Sequence, residues 1–208
     1  SVARLQRLLE FPQNQRSSAG QLLLGKSFFR LSRFAESLDA ARGLERKFVD
    51  SRYLPDARLL AGDSYFKLKR YYESASQYGR LLVTAARLDV QAQAAERLAA
   101  IVKNGYLNAQ GLENLALSIG AKRLREALFF GQARWYGRLG WIVEADQAMQ
   151  TYRDSISGGI FAQLAVPNRE SLIGESADLS EGLVTRPPEN SVYEPDPVAA
   201  CLLYTSPS

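Results

Sequence analysis

Between residues 24 and 31 the apolar positions Leu24, Phe28 and Leu31 recur at i, i+4 and i+7, the spacing of one helix face. A short polar link, Ser32-Arg33, follows, and then Phe34, Leu38, Ala41 and Leu44 mark a second amphipathic stretch. The same order returns downstream. Ala61, Tyr65 and Leu68 form a face, Lys69-Arg70 a link, and Tyr71, Ala75, Tyr78 and Leu81 a second face. Asp50-Ser51 and Pro55 punctuate the chain between the two copies, as residues that stop one helix and start another. Each unit is predicted to be a helix, a tight turn and a helix, with Leu31 and Leu68 in the core.

The two copies also share residues at a fixed offset of 37. Gly25 meets Gly62, Ser27 meets Ser64, Phe29 meets Phe66, and Leu31 meets Leu68. Arg33 meets Arg70, Glu36 meets Glu73, and Ser37 meets Ser74. Repeats of this length indicate a stack in which each unit contacts its neighbours. A glycine inside a helix costs about 1 kcal/mol relative to alanine, so Gly25 and Gly62 predict close approach of another helix. Residues 128–145 match the first copy at an offset of 108, with Tyr136 on Phe28, Leu139 on Leu31 and Glu144 on Glu36. Between them, 90–103 and 107–119 are expected to pair as the two helices of a degenerate third unit. Residues 1–10 read as the second helix of a unit cut off at its start. The expected fold is therefore all-α, with about four helix-turn-helix units over 1–156.

After residue 156 the pattern ends. Six of the eight prolines lie at 167–207, including Pro187-Pro188 and Pro195 with Pro197. Such residues cannot continue a helix, and 157–208 is expected to be an irregular, acidic linker or tail. The closing CLLYTSPS resembles a translated adapter sequence, so Cys201 is expected to carry no chemistry and a further domain to be missing.

The run 24–37, LGKSFFRLSRFAES, and its copy at 61–74 resemble the tetratricopeptide repeat: a small residue, an aromatic, a turn, an aromatic, then Glu and a small residue. Ser37 and Ser74 stand where the family uses alanine, and the spacing exceeds the family's usual length of about 34. The resemblance implies a right-handed superhelical solenoid whose first helices line a concave groove. Long units with links such as Phe11-Pro12-Gln13-Asn14 resemble those of bacterial envelope lipoproteins and cell-division factors. This implies a periplasmic or envelope location, with any membrane attachment through a lipid anchor outside this chain; a cytoplasmic location stays open.

The groove position selects candidate binding residues: Lys26, Phe29, Arg30 and Arg33 in the first unit, and Asp63, Phe66, Lys67 and Arg70 in the second. Leu22 and Leu59 fall on the same non-core stripe. An aromatic flanked by cations suits a peptide with carboxylates and an apolar anchor. Against this stands a plainer account, in which Phe29 and Phe66 only pack helix on helix and the cations are solvated. The carboxylate clamp of chaperone-binding family members is not expected, because Asp63 would oppose a carboxylate. The aromatics Phe129, Phe130, Trp135, Tyr136 and Trp141 are expected in the core of the last unit.

Charge is uneven. Residues 1–160 carry 24 Lys and Arg against 15 Asp and Glu, a net of +9, while 161–208 carry 2 against 7, a net of −5. A basic body beside an acidic tail points to an anionic partner or to a tail that folds back on its own body. The chain has no histidine, which removes His-based catalytic pairs and His-ligated metals. Nucleotide-binding and hydrolase motifs are absent as well. The expected function is non-enzymatic: a scaffold or adaptor that binds a protein or peptide, with no cofactor and no metal. Two other readings stay open. One is the helical arm of a larger periplasmic regulator of peptidoglycan synthesis; the other is a nucleic-acid-associated regulator, for which no RNA-reading repeat signature is present.

Overall fold

A computed structural model describes residues 2–8 and 15–164, and within them the chain is all helical. The elements are α1 (Val2–Leu8), α2 (Gln15–Arg30), α3 (Phe34–Lys47), α4 (Leu54–Lys67), α5 (Tyr71–Thr84), α6 (Leu88–Lys103), α7 (Ala109–Ile119), α8 (Ala121–Leu139) and α9 (Ile142–Ser155). From α1 to α6 each helix packs on the next in sequence order, and α8 packs on α9. The acidic, Pro-rich segment expected beyond residue 164 lies outside the described residues.

One turn is built four times. The helices α2, α4, α6 and α8 each end at a residue with left-handed backbone: Ser32 (φ 58°), Lys69 (φ 60°), Gly105 (φ 69°) and Gly140 (φ 80°). Their spacings are 37, 36 and 35 residues. At each, two backbone N–H groups fold back onto the helix. Arg33 N–H donates to Phe28 O at 2.9 Å and Ser32 N–H to Phe29 O at 2.9 Å. The matching pairs are Arg70 to Tyr65, Tyr106 to Ile101 and Trp141 to Tyr136, at 2.9, 3.1 and 3.0 Å. This closure satisfies carbonyls that a helix end leaves open. A common terminator, rather than a common side-chain set, is what relates the third and fourth units to the first two.

The predicted close approaches are present. A Cβ on Gly25 would lie 2.8 Å from Leu60 Cδ2, and one on Gly62 only 2.4 Å from Tyr78. Buried Ser64 donates to Leu60 O at 2.8 Å and lies 3.0 Å from Ser37, so the paired serines join α4 to α3. Ser37, which the sequence offered only as a small residue, thus carries a hydrogen bond.

The third unit departs from the expected pairing. Helix α6 packs most extensively on α8, while α7 lies on α5 and α8 and makes little contact with α6. Two glycines account for this. Gly131 on α8 sits against the α6 backbone, where an added Cβ would be 2.0 Å from Ala95 O. Ala92, Ala95 and Ala99 keep that side of α6 small. Gly79 on α5 receives α7, with Leu115 Cδ1 2.9 Å and Ile119 Cγ2 3.2 Å from where its Cβ would be. The contacts of Ala95 with Gly131 and of Glu96 with Arg134 advance together along both helices, so α6 and α8 run parallel. The expectation of 90–103 and 107–119 as a packed pair is therefore corrected: both helices exist, but they do not pair.

Two core assignments are also corrected. Leu31 is 58% exposed and Leu68 37%, because each occupies the last helical turn before the left-handed residue. Leu22 and Leu59, expected on the open stripe, are buried. The body also runs past residue 156. Phe161 is fully buried and stacks on Phe130 with ring centres 4.3 Å apart.

Replacing Gly131 by alanine is expected to cost about 1–3 kcal/mol in urea unfolding, despite the roughly 1 kcal/mol that alanine gains in helix propensity. Gly43→Ala meets only the flexible end of Gln21 and is expected to stay within about 1 kcal/mol of the parent. Equal stability of the two variants would contradict the direct α6–α8 contact.

Candidate interaction surface

On α2, at about 100° per residue, the buried Leu24, Phe28, Gly25, Phe29 and Leu22 cover an arc of about 160°. Lys26, Arg30, Leu23, Ser27 and Leu31 occupy the remainder. Leu23 is 54% exposed. The sequence-predicted groove residues therefore divide. Lys26 and Arg30 are exposed together on one arc, beside two uncovered leucines. Phe29 instead points into the core, edge-on to Phe34 at 5.2 Å. Its place as a groove residue is corrected, because the buried arc of α2 extends to it.

Arg33 and Arg70 belong to the turns. Each guanidinium lies over the ring one helical turn behind it, Arg33 over Phe28 at 4.7 Å and Arg70 over Tyr65 at 4.8 Å. Each also binds the carboxylate three residues ahead. Arg33 Nε donates to Glu36 at 2.9 Å, and Arg70 donates to Glu73 at 2.9 and 2.6 Å. These hydrogen bonds hold Glu36 and Glu73 below the usual carboxylate range. The conserved spacing of these residues in both copies is thus accounted for by the turn. Arg30 and Lys67 also have a local explanation. Arg30, Lys67, Lys103 and Arg138 all stand two residues before the left-handed residue, where a cation complements the helix dipole. Lys26 has no such role.

Asp63 is corrected outright. It stands where Lys26 stands in the first unit, yet it is buried. Its Oδ1 accepts from Tyr78 OH at 2.6 Å and lies 2.8 Å from Arg97 Nε of α6. Burial, with Asp63 beside it, pushes the Tyr78 hydroxyl well above its ordinary pKa. A second buried group joins α6 to α8: Glu96 accepts from Arg134 Nε at 3.2 Å and from Arg138 Nη2 at 3.0 Å. Burial pushes the Glu96 carboxyl up, but Arg138, Arg134 and Arg97 outweigh it and hold the group below its ordinary range. These pairs close the surface over α4 and α6. The open part of the expected groove is the α2 arc.

At the ends of α4, α6 and α8 a different surface is present. Phe66 lies edge-on to Tyr71 at 5.5 Å and to Tyr106 at 5.7 Å, and Tyr71 stacks on Tyr106 at 4.4 Å. Trp135, Tyr136 and Trp141 form a second group with centres 5.5 to 6.5 Å apart. Ala100, Trp135 and Leu139 connect the two. All six aromatics except Trp135 are half-buried. The buried Trp135 Nε1 has no hydrogen-bond partner, a loss of about 1–3 kcal/mol for such a donor. Of the aromatics expected in the core, Phe130 and Trp135 are there, while Phe129, Tyr136 and Trp141 remain half-exposed. Tyr71 was read only as part of a helix face, and Tyr106 escaped the sequence reading. The signal for Tyr106 lay in the recurring terminator, which puts Tyr106 and Trp141 at the place of Arg33 and Arg70.

Among the described residues no three Asp, Glu or Cys side chains gather as a metal ion requires, and no helix is long and apolar enough to cross a membrane. The chain matches no protein-family model, no curated protein and no solved structure.

Asp63→Ala leaves Arg97 buried beside Tyr78 without its carboxylate, and is expected to cost about 3–5 kcal/mol in urea unfolding. Glu96 supplies a pH signature. Its lowered pKa stabilises the fold above the unfolded value near 4.5, and that share is lost as pH falls through the lower folded value. Urea midpoints should fall in the parent below about pH 4.5, and fall less in Glu96→Gln, which starts from a lower stability at neutral pH.

Proposed function

We propose that this chain is a non-enzymatic helical-repeat module that binds an acidic segment of a protein partner on the exposed arc of α2. The observation that carries this reading is the arc itself: Leu23 and Leu31 uncovered, with Lys26 and Arg30 beside them. Neither Lys26 nor Arg30 forms an ion pair among the described residues. Apolar anchors next to unpaired cations suit a helix or extended segment carrying Leu-like side chains and carboxylates, with the charges steering encounter and the leucines supplying buried area.

In this reading the four terminators describe a tetratricopeptide-like, right-handed superhelical stack, and the open arc is what remains of the concave groove after α6 closes over Asp63. A scaffold of the bacterial cell envelope fits the kind of repeat that the units resemble.

Peptide display against the purified chain tests the proposal. The selected peptides should be rich in Asp and Glu with at least one large aliphatic residue. Lys26→Glu combined with Arg30→Glu should weaken them by about tenfold or more, with a stability loss limited to the roughly 1 kcal/mol that a carboxylate costs at a helix C-terminus. Lys122→Glu with Arg46→Glu, on other helices, should leave binding intact. Peptides indifferent to the α2 reversal would overturn the assignment of the site.

A further inference from the structure

The aromatic surface at the ends of α4, α6 and α8 is separate from the α2 arc and has its own chemistry. Phe66, Tyr71, Tyr106, Tyr136 and Trp141 are half-buried, and Trp135 is buried among them. Its polar atoms are donors in want of acceptors. Trp135 Nε1 is buried and unpartnered, and the Tyr71 and Tyr106 hydroxyls form no hydrogen bond among the described residues. A matching ligand offers flat apolar rings, several carbonyl acceptors and few N–H groups. That is the chemistry of a proline-rich extended segment, which has already lost much of its conformational freedom and docks on aromatic-lined surfaces elsewhere.

The chain contains such a segment. Residues 186–197 read RPPENSVYEPDP, with prolines at 187, 188, 195 and 197 and carboxylates at Glu189, Glu194 and Asp196. Arg70 is held by Glu73, but Lys67, next to Phe66 in the chain, forms no ion pair among the described residues, and its charge is opposite to that of the segment. Reach is sufficient. Phe161 is held against Phe130, about 15 Å along α8 from Gly140. The 22 residues 165–186 would span roughly 25 Å as a random coil. We propose that segment 186–197 docks within its own chain on the aromatic surface formed by Phe66, Tyr71, Tyr106, Trp135, Tyr136 and Trp141.

The chain holds two tryptophans, Trp135 and Trp141, so its tryptophan emission reports on this surface alone. The test compares the full chain with a variant carrying Pro187→Ala, Pro188→Ala, Pro195→Ala and Pro197→Ala. In the variant, emission should shift to longer wavelength and acrylamide quenching should rise by about half or more, with helical content by circular dichroism unchanged. Excess synthetic peptide 186–197 should restore the parent spectrum, and the same peptide with its four prolines replaced should not. Adding Tyr106→Leu to the proline variant should remove the response to peptide. Identical emission and quenching in parent and variant would overturn the proposal. So would a difference that appears only as the protein is concentrated, which would place the contact between chains. Neither result bears on the α2 arc, whose peptides are tested by charge reversal on a different helix.

Discussion

The arrangement of the second half of this molecule depends on one contact, the seat of Gly131 against the backbone of Ala95. Helices that meet with side chains between them stand 8–10 Å apart, and only small residues permit closer approach. Here α8 supplies a glycine and α6 a run of alanines, so the two helices lie directly together. Helix α7 is left without a place between them and moves onto Gly79 of α5. The chain remains a repeat in its turns while ceasing to be one in its packing.

Charge and aromaticity follow from that contact. Bringing α6 and α8 together buries Glu96, and two arginines of α8 meet it. A buried carboxylate in that position is tolerable only with such partners, since desolvation costs several kcal/mol per ion. The same approach carries the ends of α6 and α8 toward each other and toward α4. Tyr106 therefore reaches Phe66 and Tyr71, and Trp135 lies under the junction. Each of these contacts links residues far apart in sequence.

The local grammar of the fold was legible in the sequence. Gly25 and Gly62 announced close packing, the links at Ser32-Arg33 and Lys69-Arg70 announced turns, and α6 and α7 fell near their expected ranges. What escaped was what depends on a distant partner. Asp63 looked like a surface residue because Arg97, the group that neutralises it, lies 34 positions away on a helix of another unit. Leu31 continued an apolar spacing, but α2 ends at Arg30 and the left-handed Ser32 follows Leu31 directly. Phe29 lay at the edge of an arc whose width periodicity alone does not reveal. Nor was the displacement of α7 visible, because it arises from Gly131, in a helix that comes after it. Of the eight candidate site residues, Lys26 and Arg30 stand on the open surface with apolar neighbours, and the remainder carry structural work or flank it.

The most direct test of this account is a nuclear Overhauser measurement on the labelled protein in solution. Cross-peaks are predicted from Gly131 Hα to the backbone of Ala95 and Glu96, together with cross-peaks from the Leu115 methyls to Gly79 Hα. Absence of both sets, with α7 methyls meeting α6 and α8 as an intervening helix, would restore a regular stack and contradict the account.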